Sequence, residues 1–376
     1  MPGMNPGVSL PAHRLPLAAR VSKELKRGIE EGQWRGWLPG ERQLSVRLSV
    51  SRMTCSQALD MLEREGWVER LPGIGTRISE NKRRLKYDPS VNSSIGIIMP
   101  HPVAGMRAKI MMWVDELREQ LANRGLRLTV CHSPRLYGPN PSKILATTVR
   151  QHAPACWLLL MTTRATQEWF SRMAVPCLTI GTNYEGVDIP SVGIDLLAVG
   201  RHSAGTLIAA GHRSLGFLFH RLPGVGAGRL SAGDVRFADG FVEECRRIRE
   251  PVKARVIDHE ETLGGTAQAL QRCLEGATPC TGIVVASSHC YLSVISLLCG
   301  RGLRIPGDVS LICRDDDHFL DFLSPRPARY CGTWELMLKE VMVQLPLLLN
   351  GGLRPGRHAR SFPRFDAGGS IRRLGR

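Results

Sequence analysis

The chain has 376 residues, 43% of them apolar, so it is too long for one compact domain and too apolar for a disordered tail. Its 50 Lys and Arg against 34 Asp and Glu give a net charge of +16, which favours a polyanionic partner. That excess lies at the ends: residues 1–93 carry 16 basic against 10 acidic groups and residues 353–376 carry 7 Arg against one Asp, so the middle is not a nucleic-acid surface.

In chain order, the first strong signal is Leu38–Ile78. Pro39 and Glu41 open a short helix carrying Leu44, Val46 and Leu48. The break at Leu48-Ser49-Val50 is a tight turn whose valine can plug a core. Ser51 then caps a helix whose inward face is Cys55, Ala58, Leu59 and Leu62, and Gly66 ends it. Trp67–Arg70 and Thr76–Ser79 read as two strands around the turn Pro72-Gly73-Ile74-Gly75.

This segment resembles the winged helix of GntR-type transcription regulators. The motifs responsible are LPGERQLS (38–45), VSRMTCSQAL (50–59), LEREGWV (62–68) and GIGT (73–76). The resemblance implies operator contacts from Arg42, Ser51, Arg52, Thr54 and the wing Gly73, with Gln57, Gly75 and Thr76 beside them. One position departs: the family's arginine in TVREAL is Ser56 here, which removes one expected phosphate or base contact.

Residues 81–93 are polar, charged and non-periodic, which marks a linker between a DNA-binding domain (14–80) and a larger domain (94–376). From Ser94 short apolar runs alternate with amphipathic helices. Strands are expected at Ile95–Met99, Leu126–Val130, Trp157–Met161 and Cys177–Ile180. A second series is expected to begin at Ser191, with a helix at 235–248 and strands at Leu215–Phe219, Ala254–Ile257, Ile283–Ala286 and Val309–Ile312. Repeated βα units of this kind need parallel sheets covered on both faces, and two series suggest two lobes with a ligand between them. The expected class is α/β, an N-terminal winged helix-turn-helix followed by a two-lobed parallel domain.

The second series resembles the effector domain of LacI-type repressors, a periplasmic-binding-protein-like fold of type I. VGIDLLAVGRHSAGTLIAAGHRSLGFL (192–218) and LCGRGLRIPGDVSLICRDDD (298–317) carry the likeness, and RSFPRFDAGGSI (360–371) sits where the family has its final strand. The family's Asn-Asp after the strand at Ile283–Ala286 is Ser287-Ser288 here, and Arg236 stands four residues before Gly240 rather than three. Candidate effector contacts are His101 and the pair Ser287 and Ser288 at the mouth, with Asp195 and Arg236 lining the second lobe. Serine lacks the charge-assisted bonds of the missing aspartate, so common free pentoses and hexoses are expected to bind weakly, or the ligand to carry an anionic group met by Arg236. Asp195 also reads as a helix cap, and His212-Arg213 as a surface pair after Gly211.

No GxxxxGK[ST], HExxH or GxSxG is present, and the GVGAG run at 224–228 reads as a loop, so no catalytic residue is assigned. The 11 cysteines show no CxxC or zinc spacing and suit buried reduced thiols; Asp315-Asp316-Asp317 cannot converge on one ion. No metal or cofactor is expected. The first twenty residues lack a secretion signal's apolar run, and no stretch approaches the ~20 apolar residues of a membrane span. The expectation is a cytoplasmic homodimeric transcription regulator, a repressor by the family resemblance, that binds double-stranded operator DNA, has no membrane partner and answers to a small metabolite, such as a sugar or sugar derivative. Lobe closure on that ligand would respace two DNA-binding heads. The alternatives are a solute-binding protein or an α/β enzyme with a fortuitously basic helical N-terminal domain.

Overall fold

The structure, a computed structural model, describes residues 17–30, 33–34, 36–64, 67–71, 74–78, 94–221, 230–250, 252–353 and 356–375. Two units separate by internal contact, residues 1–88 and 89–376. The predicted helix stop at Gly66, the wing Gly73, the linker 81–93 and the GVGAG loop lie outside the described residues.

In the first unit, Val21, Leu25 and Ile29 recur every four residues and give α1 (Leu17–Glu30) a single apolar stripe. That stripe packs on α2 (Glu41–Arg47) and α3 (Arg52–Arg64), around Leu44, Cys55, Ala58, Leu59 and Leu62. Val50 packs against this cluster from the turn, as its position predicts. Val46 does not join it and is 75% exposed, because two residues beyond Leu44 lie just over half a helical turn away. β1 (Val68–Leu71) and β2 (Gly75–Ile78) pair antiparallel, Val68 opposite Ile78. Trp37 bridges to Arg77, and the Leu38 amide donates to the Thr76 carbonyl at 2.9 Å, so the chain before α2 lines the hairpin as a third strand.

The second unit starts with β3 (Ser94–Met99), α4 (Ala108–Ala122), β4 (Arg127–His132), α5 (Ser142–His152), β5 (Cys156–Leu160), α6 (Arg164–Arg172), β6 (Cys177–Ile180) and β7 (Ser191–Ile194). It continues with α7 (Leu196–Ala209), β8 (Ser214–His220), α8 (Ala232–Arg247), β9 (Lys253–His259), α9 (Leu263–Leu274), β10 (Gly282–Val285), α10 (Ser288–Gly300), β11 (Ser310–Cys313) and β12 (Ala328–Cys331). α11 (Thr333–Leu349), β13 (His358–Ser361) and β14 (Arg364–Asp366) close the chain. The first lobe has strand order β13-β7-β6-β5-β3-β4, and the second β14-β12-β11-β10-β8-β9. All pairings are parallel except β12 with β14.

Two sequence expectations shift. The strand at Ser191 belongs to the first lobe, since Thr179 and Ile180 of β6 pair with Ser191 and Val192. The segment 360–371 supplies no single final strand: β13 pairs with β7 of the first lobe and β14 with β12 of the second, so the chain crosses between lobes at Phe362-Pro363.

In the second lobe α7 and α8 meet through glycine. A Cβ on Gly200 would lie 2.2 Å from the Phe237 carbonyl oxygen, and one on Gly240 2.1 Å from that of Leu197. Both contacts are with backbone, which cannot swing aside. Gly240→Ala is therefore expected to destabilise the second unit by about 1–3 kcal/mol, seen as a lower urea midpoint.

Burial also sets an acid sensitivity. Desolvation is the first cause that pushes His202, His212, His220, His259 and His358 below their ordinary 6.5. His212 corrects the surface-pair reading: it is fully buried, with Nδ1 2.9 Å from Thr281 Oγ1, while Arg213 pairs with Glu250. Below 6.5 the unfolded chain binds protons at these positions before the folded one does, so stability falls as pH drops through that value. Urea midpoints measured between about pH 7.5 and 5 should decline monotonically; a flat profile would contradict the burial of these imidazoles.

Candidate functional site

On the first unit, α2, α3 and the wing present one exposed polar face. Arg42, Ser51, Arg52 and Gln57 are exposed, and Thr54 is half-buried. The Ser51 hydroxyl accepts the Thr54 amide at 3.1 Å and lies 2.8 Å from Thr54 Oγ1, so this pair caps α3 where it would meet a ligand. Arg70, on β1, donates to Glu41 of α2 and to Asp60 of α3, and sits 3.3 Å from Ser56 Oγ. Its guanidinium thus ties the wing to both helices at the side chain where an arginine was expected. At the hairpin, Gly75 is exposed with φ +141, a conformation that favours glycine. Thr76 is only 8% exposed: period-two alternation turns Thr76 and Ile78 into the core and Gly75 and Arg77 outward. Its side chain is a packing group, which corrects its reading as part of the contact face.

In the second unit, the carboxyl ends of both sheets converge on a cavity of about 210 Å³. That is below the roughly 300–1,000 Å³ of drug-sized sites, so it fits a small ligand. The first lobe contributes Arg107, Thr162, Gln167, Thr179 and Thr182; the second His220, Ser231, Asp234, Arg314 and Asp315. Trp334 and Met337 of α11 and Pro363 of the crossover add apolar surface.

The charges are internally balanced. Arg314 Nη1 lies 2.7 Å from Asp234 Oδ1, with its guanidinium over the rings of Phe217 and Phe237. Arg107 Nη1, from the first lobe, lies 2.9 Å from Asp315 Oδ2 of the second. Gln167 is held by Thr162 at 3.3 Å and by the Tyr184 amide at 3.0 Å. Four buried atoms on this lining nevertheless have no hydrogen-bond partner: Thr179 Oγ1, His220 Nδ1, Asp234 Oδ1 and Arg314 Nη1. The last two are close enough to attract but not aligned to bond. Desolvation keeps His220 neutral near pH 7, against the opposing pull of Glu261. Such orphans are costly unless a ligand or water completes them.

Residues 17–78 match the family model described as bacterial regulatory proteins, gntR family. Residues 17–78 are a GntR-type DNA-binding domain. Residues 204–371 match the periplasmic binding protein-like domain. Along most of its length the chain is similar to an arabinose metabolism transcriptional repressor from Geobacillus stearothermophilus, 25% identical over 330 residues, 81% of this chain and 83% of that protein. By fold it is similar to a LacI family regulator from Enterococcus faecium with bound ribose (TM-score 0.60, 15% identity, 75% of this chain and 100% of that one). It is also similar to the CelR–cellobiose complex (TM-score 0.62, 17% identity, 89% and 100%).

Beside the GntR-type domain, the periplasmic-binding-protein-like lobes place none of the five sequence-assigned effector residues on the cavity. Asp195 accepts the Ala198 amide at 3.1 Å as the cap of α7. Ser287 accepts the Cys290 amide at 3.4 Å as the cap of α10, and Ser288 donates to Asp317 at 3.0 Å. His101 is half-buried off the cavity, and Arg236 is exposed. The reason for Arg236 is helix phase. Ser231 caps α8, so the helix starts at Ala232 rather than at 235, and Asp234 is the first-turn residue that faces inward. The three consecutive aspartates likewise have separate partners: Asp315 takes Arg107, Asp316 the Gly332 amide and Asp317 Ser288. Among the described residues no group of three metal-ligating side chains comes together, and no helix is long and apolar enough to cross a membrane.

The residues missed, Arg107, His220, Asp234 and Arg314, had one usable signal. His220 ends β8 and Arg314 follows β11 directly, and charged or titratable groups at the carboxyl ends of buried parallel strands are where this architecture binds ligands. Asp234 and Arg107 precede or open helices and gave no such cue.

Proposed function

We propose that this protein is a cytoplasmic, one-component transcriptional repressor whose effector is a small neutral sugar bound between its two lobes. The observation that carries the effector half is one small cavity between the lobes lined by buried polar atoms, with Thr179 Oγ1 and His220 Nδ1 lacking a hydrogen-bond partner and Asp234 Oδ1 and Arg314 Nη1 paired only with each other. Two Arg–Asp pairs leave that lining without net charge, which favours hydroxyls that both donate and accept over an anion. This replaces the expectation that free sugars bind weakly or that an anionic group meets Arg236. Supporting it, relatives of similar fold hold ribose and cellobiose, and the long relative is named for arabinose metabolism. The ligand acts by its differential affinity for two states of the protein. The protein works as a homodimer on a palindromic operator, since two-fold symmetry doubles the surface read.

Thermal-shift titration with arabinose, ribose, cellobiose and a sugar acid tests the effector, because stabilisation grows as RT ln(1 + [L]/Kd). A neutral sugar is expected to raise the melting temperature and release operator DNA in a retardation assay. Response to the acid alone, or to none, overturns the reading. Light scattering should report twice the 41.5 kDa chain mass; a monomer both free and on DNA removes the dimer.

A further inference from the structure

The second lobe holds a thiol pair away from both sites. Cys273 closes the last turn of α9, and Cys280 precedes β10. The Cys280 amide donates to the Cys273 carbonyl at 2.8 Å, which folds the short connection 274–279 back on itself. Both sulfurs cover the bare backbone of Gly216 on β8: a Cβ there would lie 2.8 Å from Cys273 Sγ and 3.5 Å from Cys280 Sγ. The two sulfurs therefore lie over the same point of β8. Ser214 Oγ is 3.9 Å from Cys280 Sγ on the other side. Arg255 holds the connection with bonds to the carbonyls of Arg272, Cys273, Glu275 and Thr278, at 2.8 to 3.1 Å, which brings a fixed cation beside the pair.

We infer that Cys273 and Cys280 are a hydroperoxide-oxidisable dithiol that closes to an intrachain disulfide. Cys280 is the attacking sulfur. The neighbouring Cys273 thiol, the Ser214 hydroxyl and the Arg255 charge hold the Cys280 thiol below its ordinary 9.0, against the burial that raises it. Most of the other cysteines are pushed the opposite way by burial; Cys131 and Cys245 stand at about 11 and Cys177 and Cys290 at about 12. Those thiols stay protonated and unreactive, although some are as close to solvent as Cys280. Selectivity among the 11 cysteines therefore comes from what surrounds each sulfur.

The chemistry balances with a hydroperoxide as the oxidant. The Cys280 thiolate attacks the terminal peroxide oxygen, the O–O bond breaks, and the leaving oxygen takes a proton to give water or an alcohol. Cys280 is then a sulfenic acid. The Cys273 sulfur attacks the Cys280 sulfur; the S–S bond forms as the S–O bond breaks, and the hydroxide leaves as water with the Cys273 proton. Two thiols lose two electrons and one peroxide is reduced. Both cysteines are buried, at 0% and 2% exposure, while Glu275, Gly276, Ala277 and Pro279 of the connection between them are exposed.

The test treats the full-length folded protein with hydrogen peroxide, caps the remaining thiols, and digests it without reduction. Cleavage after Arg272 and Glu275 places the two cysteines in separate peptides, so a link between them is read directly by mass. The expected result is a 273–280 disulfide, lower in mass by two hydrogens and reversed by dithiothreitol, formed while Cys156, Cys177 and Cys290 remain thiols. Cys273→Ser should stop the reaction at a sulfenic acid on Cys280 that dimedone traps, Cys280→Ser should abolish both products, and Cys299→Ser should change nothing. Oxidation confined to the exposed Cys299, a link to a different cysteine, or a link that forms only once circular dichroism shows unfolding would each overturn the inference. Mapping on the unaltered protein decides it even if a serine variant fails to fold.

Discussion

Replacing Arg52 with alanine is expected to weaken operator binding by about 1–3 kcal/mol, a loss of roughly 5- to 150-fold, if its guanidinium reads a base edge from the first turn of α3. Arg52 is exposed, starts that helix one residue after the Ser51 cap, and makes no ion pair among the described residues, so its charge is available. Arg42→Ala is expected to act differently. It lies in α2, and a phosphate contact from there lowers affinity for all sequences alike and reduces the salt slope by about one. Retardation assays on operator and scrambled DNA, repeated over a range of salt, separate the two outcomes. Unchanged affinity in both variants would mean that this face does not meet the operator. Arg70 is a useful contrast: its ties to Glu41, Asp60 and Ser56 make its loss a destabilisation of the wing before it is a loss of DNA contact.

Much of the fold was legible because it rests on short-range rules. The 3–4 spacing of Cys55, Ala58, Leu59 and Leu62 and the cap at Ser51 specify α3 whatever surrounds it, and each is observed. β-branched runs such as Ile95–Met99 announce buried strands in the same way. What sequence could not carry is the assignment of short elements to lobes. β7, β13 and β14 are three or four residues each, and only pairing decides which sheet they join. α11 contains Pro346, whose missing N–H argues against a helix, yet the helix runs through it and ends three residues later at Leu349. The cleft failed for a sharper reason. A three-residue error in the start of α8 put an exposed Arg236 on the lining in place of the buried Asp234. The family spacing around Gly240 did not help, because that glycine is explained by the approach of α7 and not by a ligand.

That aspartate carries the largest stability effect expected in the molecule. Asp234 and Arg314 have side chains only 10% and 17% exposed, and each is the other's charge partner. Asp234→Asn keeps the shape and the Ser231 cap but leaves a guanidinium buried without a counter-charge, at an expected cost of about 3–5 kcal/mol. Arg314→Met strands the aspartate and should cost about as much. The pair itself is a weak source of stability, because desolvating two charges offsets most of their attraction. Combining Asp234→Asn with Arg314→Met is therefore expected to restore much of the lost urea midpoint, so the double variant is far less damaged than the sum of the singles. Its response to sugar should not return. The misaligned Oδ1 and Nη1 atoms are where hydroxyls are expected to bond, and neither substitute supplies a charge-assisted bond there. A double variant that is stable, binds operator and ignores sugar would locate the effector at this pair. One that is stable and still responds would show that the ion pair only fills space, and would move the search to Thr179 and Gln167 on the opposite lobe.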